Sequence, residues 1–139
     1  MTETLLDRTL TARAEEVSGV VTDVGELARR VGLPPDRALK VELAVEEAAV
    51  NICNHAYDDS PGPLRVRALN VSDSFIVEIS DTGRPFNPLK QTPPDLSGDL
   101  MQRPIGGVGI HLIRSVAADV RYARGGNWNI LTLTFHLTA

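Results

Sequence analysis

Apolar residues follow two rhythms along this chain, and the changes from one to the other mark out its elements. Between Ala14 and Val31, the residues Val17, Val20, Val21, Val24, Leu27, Ala28 and Val31 recur at intervals of three and four, the spacing of an amphipathic helix. Gly19 and Gly25 weaken it locally. Gly32, Pro34 and Pro35 stop this helix, and Asp36 is placed as the N-cap of a second, over about Arg37–Tyr57. On that second helix Val41, Ala44, Val45, Ala48 and Ile52 share one face, while Leu43, Glu47, Val50, Asn51 and Asn54 share another. The rhythm then drops to two: Leu64, Val66 and Ala68 alternate with Arg65 and Arg67, which predicts a hairpin of strands Leu64–Val71 and Phe75–Ser80. Helical spacing returns at Ile110, Leu112, Ile113, Val116 and Ala117. The chain finishes with strands Val120–Ala123 and Ile130–Leu137 about the turn Arg124-Gly125-Gly126-Asn127, and Leu5–Ala12 reads as a first strand. Strands before and after the helices predict an α+β two-layer sandwich, with a mixed, mostly antiparallel sheet covered on one face by helices.

Composition narrows this further. A length of 139 residues suits a single domain over 1–139, and a net charge of -4 gives no electrostatic footprint for nucleic acid or an anionic membrane. No apolar run approaches the roughly 18–20 residues that span a bilayer. The one cysteine, Cys53, cannot form an internal disulfide, and no secretory signal pattern opens the chain, so a reducing cytoplasm is the expected compartment. Cys53 with His55 falls short of the four ligands of a zinc site.

Three stretches carry candidate chemistry. Glu47 and Asn51 stand four residues apart, so a helix projects carboxylate and carboxamide from one face, where they could hold a metal ion and a reacting hydroxyl. Glu47 lies at the margin of the apolar face, a position that suits a general base; such pairs are also common as polar residues facing water. Asp81-Thr82-Gly83-Arg84-Pro85-Phe86 ends a strand, either as a turn or as an acceptor for a ligand's amino group. Asn87–Pro104, rich in proline, reads as a lid, and leads to Gly106-Gly107-Val108-Gly109. Glycines opening a helix let backbone N–H groups approach an anion, or simply let the helix start close to a sheet.

Taken in order, Glu47-x-x-x-Asn51, Asp81-x-Gly83 with Phe86, and Gly107-x-Gly109 resemble the three ATP-binding boxes of the GHKL superfamily, the Bergerat fold. Glu47-Ala-Ala-Val-Asn51-Ile-Cys-Asn-His55-Ala-Tyr57 looks most like the anti-sigma-factor serine/threonine protein kinases, whose pattern places Gly where this chain has Ala56. The resemblance implies ATP and Mg²⁺ as cofactors. It makes Asn51 the metal ligand, Glu47 the general base and Asp81 the acceptor for the adenine amine, with Gly83 letting the backbone approach the base. Gly106, Gly107, Val108 and Gly109 are set against the phosphates, and Phe86 and Thr132 are counted among the nucleotide contacts. The family often carries an arginine just before the glycines, and here Arg103 stands four residues before Gly107, beyond Pro104. Where the family commonly shows Gly-Thr, this chain has Gly126-Asn127-Trp128-Asn129, so Thr132 or Thr134 is expected to support Asp81 instead. The implied activity is phosphorylation of a STAS-type anti-anti-sigma partner by a homodimer, with a sigma factor open as a second partner. A nucleotide-dependent binding switch that transfers no phosphate is the alternative, and Glu47 is the residue that separates the two.

Overall fold

The computed structural model describes residues 2–90 and 105–137. The elements run β1 (Thr2–Thr11), α1 (Ala14–Arg30), α2 (Pro35–His55), β2 (Pro63–Val71), β3 (Ser74–Asp81), a 3-10 turn at Pro88–Lys90, α3 (Ile105–Val116), β4 (Asp119–Gly125) and β5 (Trp128–His136). Each follows from the rhythm that predicts it. The inward stripe of α1 is Val17, Val20, Val21, Val24 and Ala28, and that of α2 is Ala38, Val41, Ala44, Val45, Ala48 and Ala49, all buried. Alternate residues of the strands meet these stripes: Leu64 and Val66 on β2, Phe75, Val77 and Ile79 on β3, Leu133 and Phe135 on β5, none more than 3% exposed. Burying each such side chain contributes roughly 1.5–3 kcal/mol before conformational entropy is set against it.

Two boundary details differ from the sequence reading. Asp36 does not cap α2: Pro34 holds the capping position without a side-chain hydrogen bond, and Asp36 lies in the first turn, where its charge faces the positive end of the helix dipole. The helix also stops at His55, with Ala56 as its cap, so Tyr57 is released to make contacts of its own.

The five strands lie in the order β1-β2-β3-β5-β4, and all four pairings are antiparallel. Among the described residues the sheet is thus antiparallel throughout, without the parallel pair that a mixed sheet allows. The reason is topological: the connection through α3 brings β4 to the edge, and β5 then doubles back and takes the place beside β3. The three helices pack together on one face, with α2 between α1 and α3. The other face carries an ion-paired row in which Arg65 meets Asp7 at 2.7 Å and Arg67 meets Glu78 at 2.6 Å. No described helix is long and apolar enough to cross a membrane.

Candidate functional site

The inward rows of β3 and β5 are apolar until their last shared position. Phe75 pairs with Phe135, Val77 with Leu133 and Ile79 with Leu131, and then Asp81 faces Asn129. Both polar residues are only 6% exposed. A buried polar pair at the end of an apolar stripe needs hydrogen-bond partners, and one oxygen of Asp81 finds them within the fold. Asp81 Oδ1 accepts from the Asn129 amide at 3.0 Å and from the Gly83 backbone N–H at 2.8 Å.

A cleft opens beside this pair, bounded by α2, the end of the sheet and α3. It encloses about 920 Å³ of space between atoms, part of it open to solvent. Helix α2 contributes Glu47 and Asn51, with Ala48, Ile52 and His55 on the same wall. Ile79 and Leu131 form an apolar floor next to Asp81 and Asn129, and Phe86, 43% exposed, stands at the edge. Gly109, Ile110 and Ile113 of α3 close the third side. Three of the stretches singled out from sequence therefore meet at one cleft.

The placement of each sequence-predicted residue is more specific than the sequence reading. Asn51 is half-buried, but Glu47 is exposed at the rim, so the expected partial burial of that carboxylate does not hold. What lies against Glu47 is α3: a Cβ added to Gly109 would come within 2.8 Å of its Oε2. That glycine keeps the helix close to the carboxylate. Gly83 has a comparable role with a different neighbour, since a Cβ there would stand 2.3 Å from the Ala56 carbonyl oxygen and 2.8 Å from the Ala56 Cβ. The close approach at Gly83 is to the end of α2. Helix α3 begins at Ile105, so Gly106, Gly107 and Val108 belong to its first turns and not to a preceding loop; only their backbone is described. Of the expected lid, Asn87 and the Pro88–Lys90 turn are described, tied to α3 by a hydrogen bond of 2.6 Å from Arg114 to the Leu89 carbonyl. Residues 91–104, including Arg103, lie outside the described residues.

Thr132 is misassigned by the sequence reading. It pairs with Glu78 and Arg121 and alternates with the buried Leu131 and Leu133, which puts it on the sheet face away from the helices. Thr134 shares that face for the same reason of phase. Asn129 takes the supporting role instead. It was findable: counting back by two from Leu133 and Leu131 reaches Asn129, the polar residue in the inward phase directly opposite Asp81.

Other residues missed by sequence reasoning fasten the Thr82–Phe86 loop. The Tyr57 hydroxyl donates to the Pro63 carbonyl at 2.6 Å and accepts from the Thr82 N–H at 2.8 Å, joining the end of α2 to the starts of β2 and the loop. Arg84 donates to the His55 carbonyl at 2.7 Å and pairs with Asp58 at 3.2 Å, and Arg124 donates to the Gly83 carbonyl at 3.0 Å. A carboxylate acceptor, a carboxamide and a second carboxylate are thus held around one cleft by two elements that are locked to each other.

A cation in this cleft fits the donor set in a particular way. Among the described residues no three His, Cys, Asp or Glu side chains cluster to hold a metal by themselves. The carboxamide oxygen of Asn51 suits a hard ion that keeps waters and takes further oxygens from a phosphate ligand.

Comparison with known proteins gives concordant likenesses. The family described as histidine kinase-like ATPase domain matches residues 10–135. The serine-protein kinase RsbW of Bacillus cereus (strain ZK / E33L) is 26% identical over 130 residues, covering 91% of this chain and 81% of its own. The RsbW of Bacillus mycoides (strain KBAB4) is 25% identical with the same coverage. Among solved structures, the RsbU and RsbW domains of a Mycobacterium tuberculosis protein superpose with a TM-score of 0.67 at 19% identity. The match spans 94% of this chain and about a third, 32%, of that one. The histidine kinase domain of a blue-light activated kinase from Erythrobacter litoralis gives a TM-score of 0.57 at 18% identity. These two structures share the fold.

Proposed function

This chain belongs to the histidine kinase-like ATPase domain family, and on that footing we propose that it is an ATP- and Mg²⁺-dependent protein kinase acting on a serine or threonine hydroxyl of a partner protein. The observation that carries the reading is the convergence of Glu47 and Asn51 with Asp81 on one cleft. Support comes also from relatives named as serine-protein kinases that align over most of this chain.

Bound Mg-ATP supplies the transferable phosphoryl group and the charge of the cation. Asp81 accepts a hydrogen bond from the base's amino group at the end of the sheet, over the floor of Ile79 and Leu131. Asn51 offers its carboxamide oxygen to the cation. The backbone at the start of α3 would meet the phosphates at the positive end of the helix dipole, with the N–H groups of Gly106 and Gly107 in its first turn and Val108 and Gly109 following. Glu47 takes the proton of the attacking hydroxyl, and its exposure at the rim is what a protein substrate requires, because the hydroxyl arrives from outside. Phosphoryl transfer needs mainly positioning and charge neutralisation, which these groups supply without a covalent enzyme intermediate.

The partner in this reading is a STAS-type anti-anti-sigma protein in the cytoplasm, with a sigma factor as a second ligand and a homodimer as the working assembly. The test is incubation with Mg-ATP and the STAS protein encoded nearest to this chain, with intact-mass detection of phosphate on the partner. Wild type is expected to transfer, Glu47→Gln to bind ATP without transferring, and Asn51→Ala to lose Mg²⁺-dependent affinity. Tight ATP binding with no phosphate on the partner would replace the kinase by a nucleotide-dependent binding switch.

A further inference from the structure

Asn129 makes more contacts than support of Asp81 requires. Its Nδ2 donates to Asp81 Oδ1 at 3.0 Å and to the Arg84 carbonyl at 2.9 Å, with the Gly83 carbonyl at 3.4 Å. Its Oδ1 accepts from the Tyr122 hydroxyl at 2.5 Å and lies 3.5 Å from the Phe86 N–H. The orientation of the amide follows from these partners alone: a flip would turn Oδ1 toward three acceptors and Nδ2 toward two donors. Every hydrogen-bonding position of a nearly buried carboxamide is therefore assigned.

We propose that Tyr122 and Asn129 form a rigid frame that fixes Asp81 as an acceptor, so that the site selects a 6-amino purine over a 6-oxo purine. The inference rests on the ATP reading given above and adds to it the residues that set base choice. Asp81 Oδ1 is occupied by two N–H donors, from Asn129 and Gly83. Among the described residues Oδ2 accepts no hydrogen bond, and Asp81 borders the cleft. An acceptor aimed at the base complements an exocyclic amine and opposes a carbonyl oxygen at the same place. The discrimination holds only while the carboxylate cannot turn. Tyr122 reaches Asn129 from β4, where it pairs with Leu131, so the frame spans three adjacent strands, β3, β5 and β4. A threonine, expected at this point from the resemblance, has one hydroxyl and could not serve Asp81 and the Arg84 carbonyl together while accepting from Tyr122. Tyr122 and Asn129 are thus positioning residues, acting through Asp81.

The test compares binding of Mg-ATP and Mg-ITP by calorimetry in wild type, Tyr122→Phe and Asn129→Ala, with thermal unfolding of each followed by circular dichroism. ITP carries the same triphosphate and ribose and differs in presenting a 6-oxo group. A hydrogen bond to a charged group is worth about tenfold or more in affinity, so wild type is expected to prefer ATP by at least about tenfold. Tyr122→Phe, which removes one hydroxyl and keeps the ring, is expected to narrow that preference several-fold, and Asn129→Ala to bring it close to one. A merely structural role would weaken both nucleotides by the same factor, and that result in Tyr122→Phe overturns the proposal even if Asn129→Ala fails to fold. Equal affinity of wild type for ATP and ITP also overturns it and leaves the nucleotide site standing. Binding of neither nucleotide by folded wild type removes the ATP reading itself.

Discussion

Replacing Gly83 by alanine places one methyl group where the end of α2 already sits. The added Cβ would be 2.3 Å from the Ala56 carbonyl oxygen and 2.8 Å from the Ala56 Cβ, and the nearer atom is backbone, which no rotamer change can move. Two effects oppose each other. Among the described residues the glycines at positive φ are Gly32 and Gly126, so Gly83 has a backbone that alanine tolerates, and alanine would stabilise by about 0.4–1 kcal/mol through the unfolded chain. Overpacking costs about 1–3 kcal/mol, and a contact this short with a fixed oxygen puts the cost in the upper part of that range. The net expectation is a loss of about 1–2.5 kcal/mol, or a fall in Tm of roughly 3–10 °C for a chain of this size. Because Gly83 donates to Asp81, a shift of the loop should also weaken ATP binding. Adding Ala56→Gly removes the methyl contact and leaves the carbonyl, so the double variant should recover only part of the loss. Differential scanning calorimetry and ATP titration of the two variants decide the matter. A Gly83→Ala protein as stable as wild type with unchanged ATP affinity would refute the packing argument, and full recovery in the double variant would refute the role given to the carbonyl.

Two other perturbations read different parts of the site. Tyr57→Phe strips one hydroxyl from two partners, the Pro63 carbonyl and the Thr82 N–H, and should cost about 1–3 kcal/mol in urea unfolding with faster amide exchange at Thr82; unchanged exchange there would show the bond to be unimportant. Burial raises the Cys53 thiol above its ordinary range, its own backbone hydrogen bond lowers it in part, and Glu15 and Glu16 add to the rise. A raised value means less thiolate at a given pH, so alkylation at pH 8 should be slower in the folded protein than in urea, and the stability contributed by keeping the thiol neutral should fall only as the pH rises past the unfolded value. Equal alkylation rates in the two states would contradict the burial.

The elements of this fold were legible because the apolar periods are clean. The stripe from Val17 to Ala28 needs a helix, and the alternation from Leu64 to Ala68 needs a strand. Ends were less legible, since Pro34 and Asp36 compete for the start of α2 and only the packed backbone decides between them. Glu47, Asn51 and Asp81 are conspicuous by residue type, and all three line the one cleft. The site was illegible where the role belongs to partners distant in the chain. Asn129 supports Asp81 because β5 lies beside β3, and nothing local to residue 129 says so. Thr132 fits by residue type, but strand phase decides, and it puts that residue on the face away from the helices. The resemblance sets Gly83 against the base; the neighbour that the structure puts against it, Ala56, is apparent only once α2 and the loop are set together.

The insertion of β5 between β3 and β4 has a consequence for synthesis on the ribosome. Helix α2, Asp81 and α3 all emerge before residues 128–136, yet until that strand arrives the inner edge of β3 is open and β4 has no neighbour to pair with. During that interval Asp81 has no Asn129, and the row of backbone groups on β3 is available to any other extended segment. The hydrogen bonding around Asp81 and the closure of the sheet are therefore completed by the same nine residues.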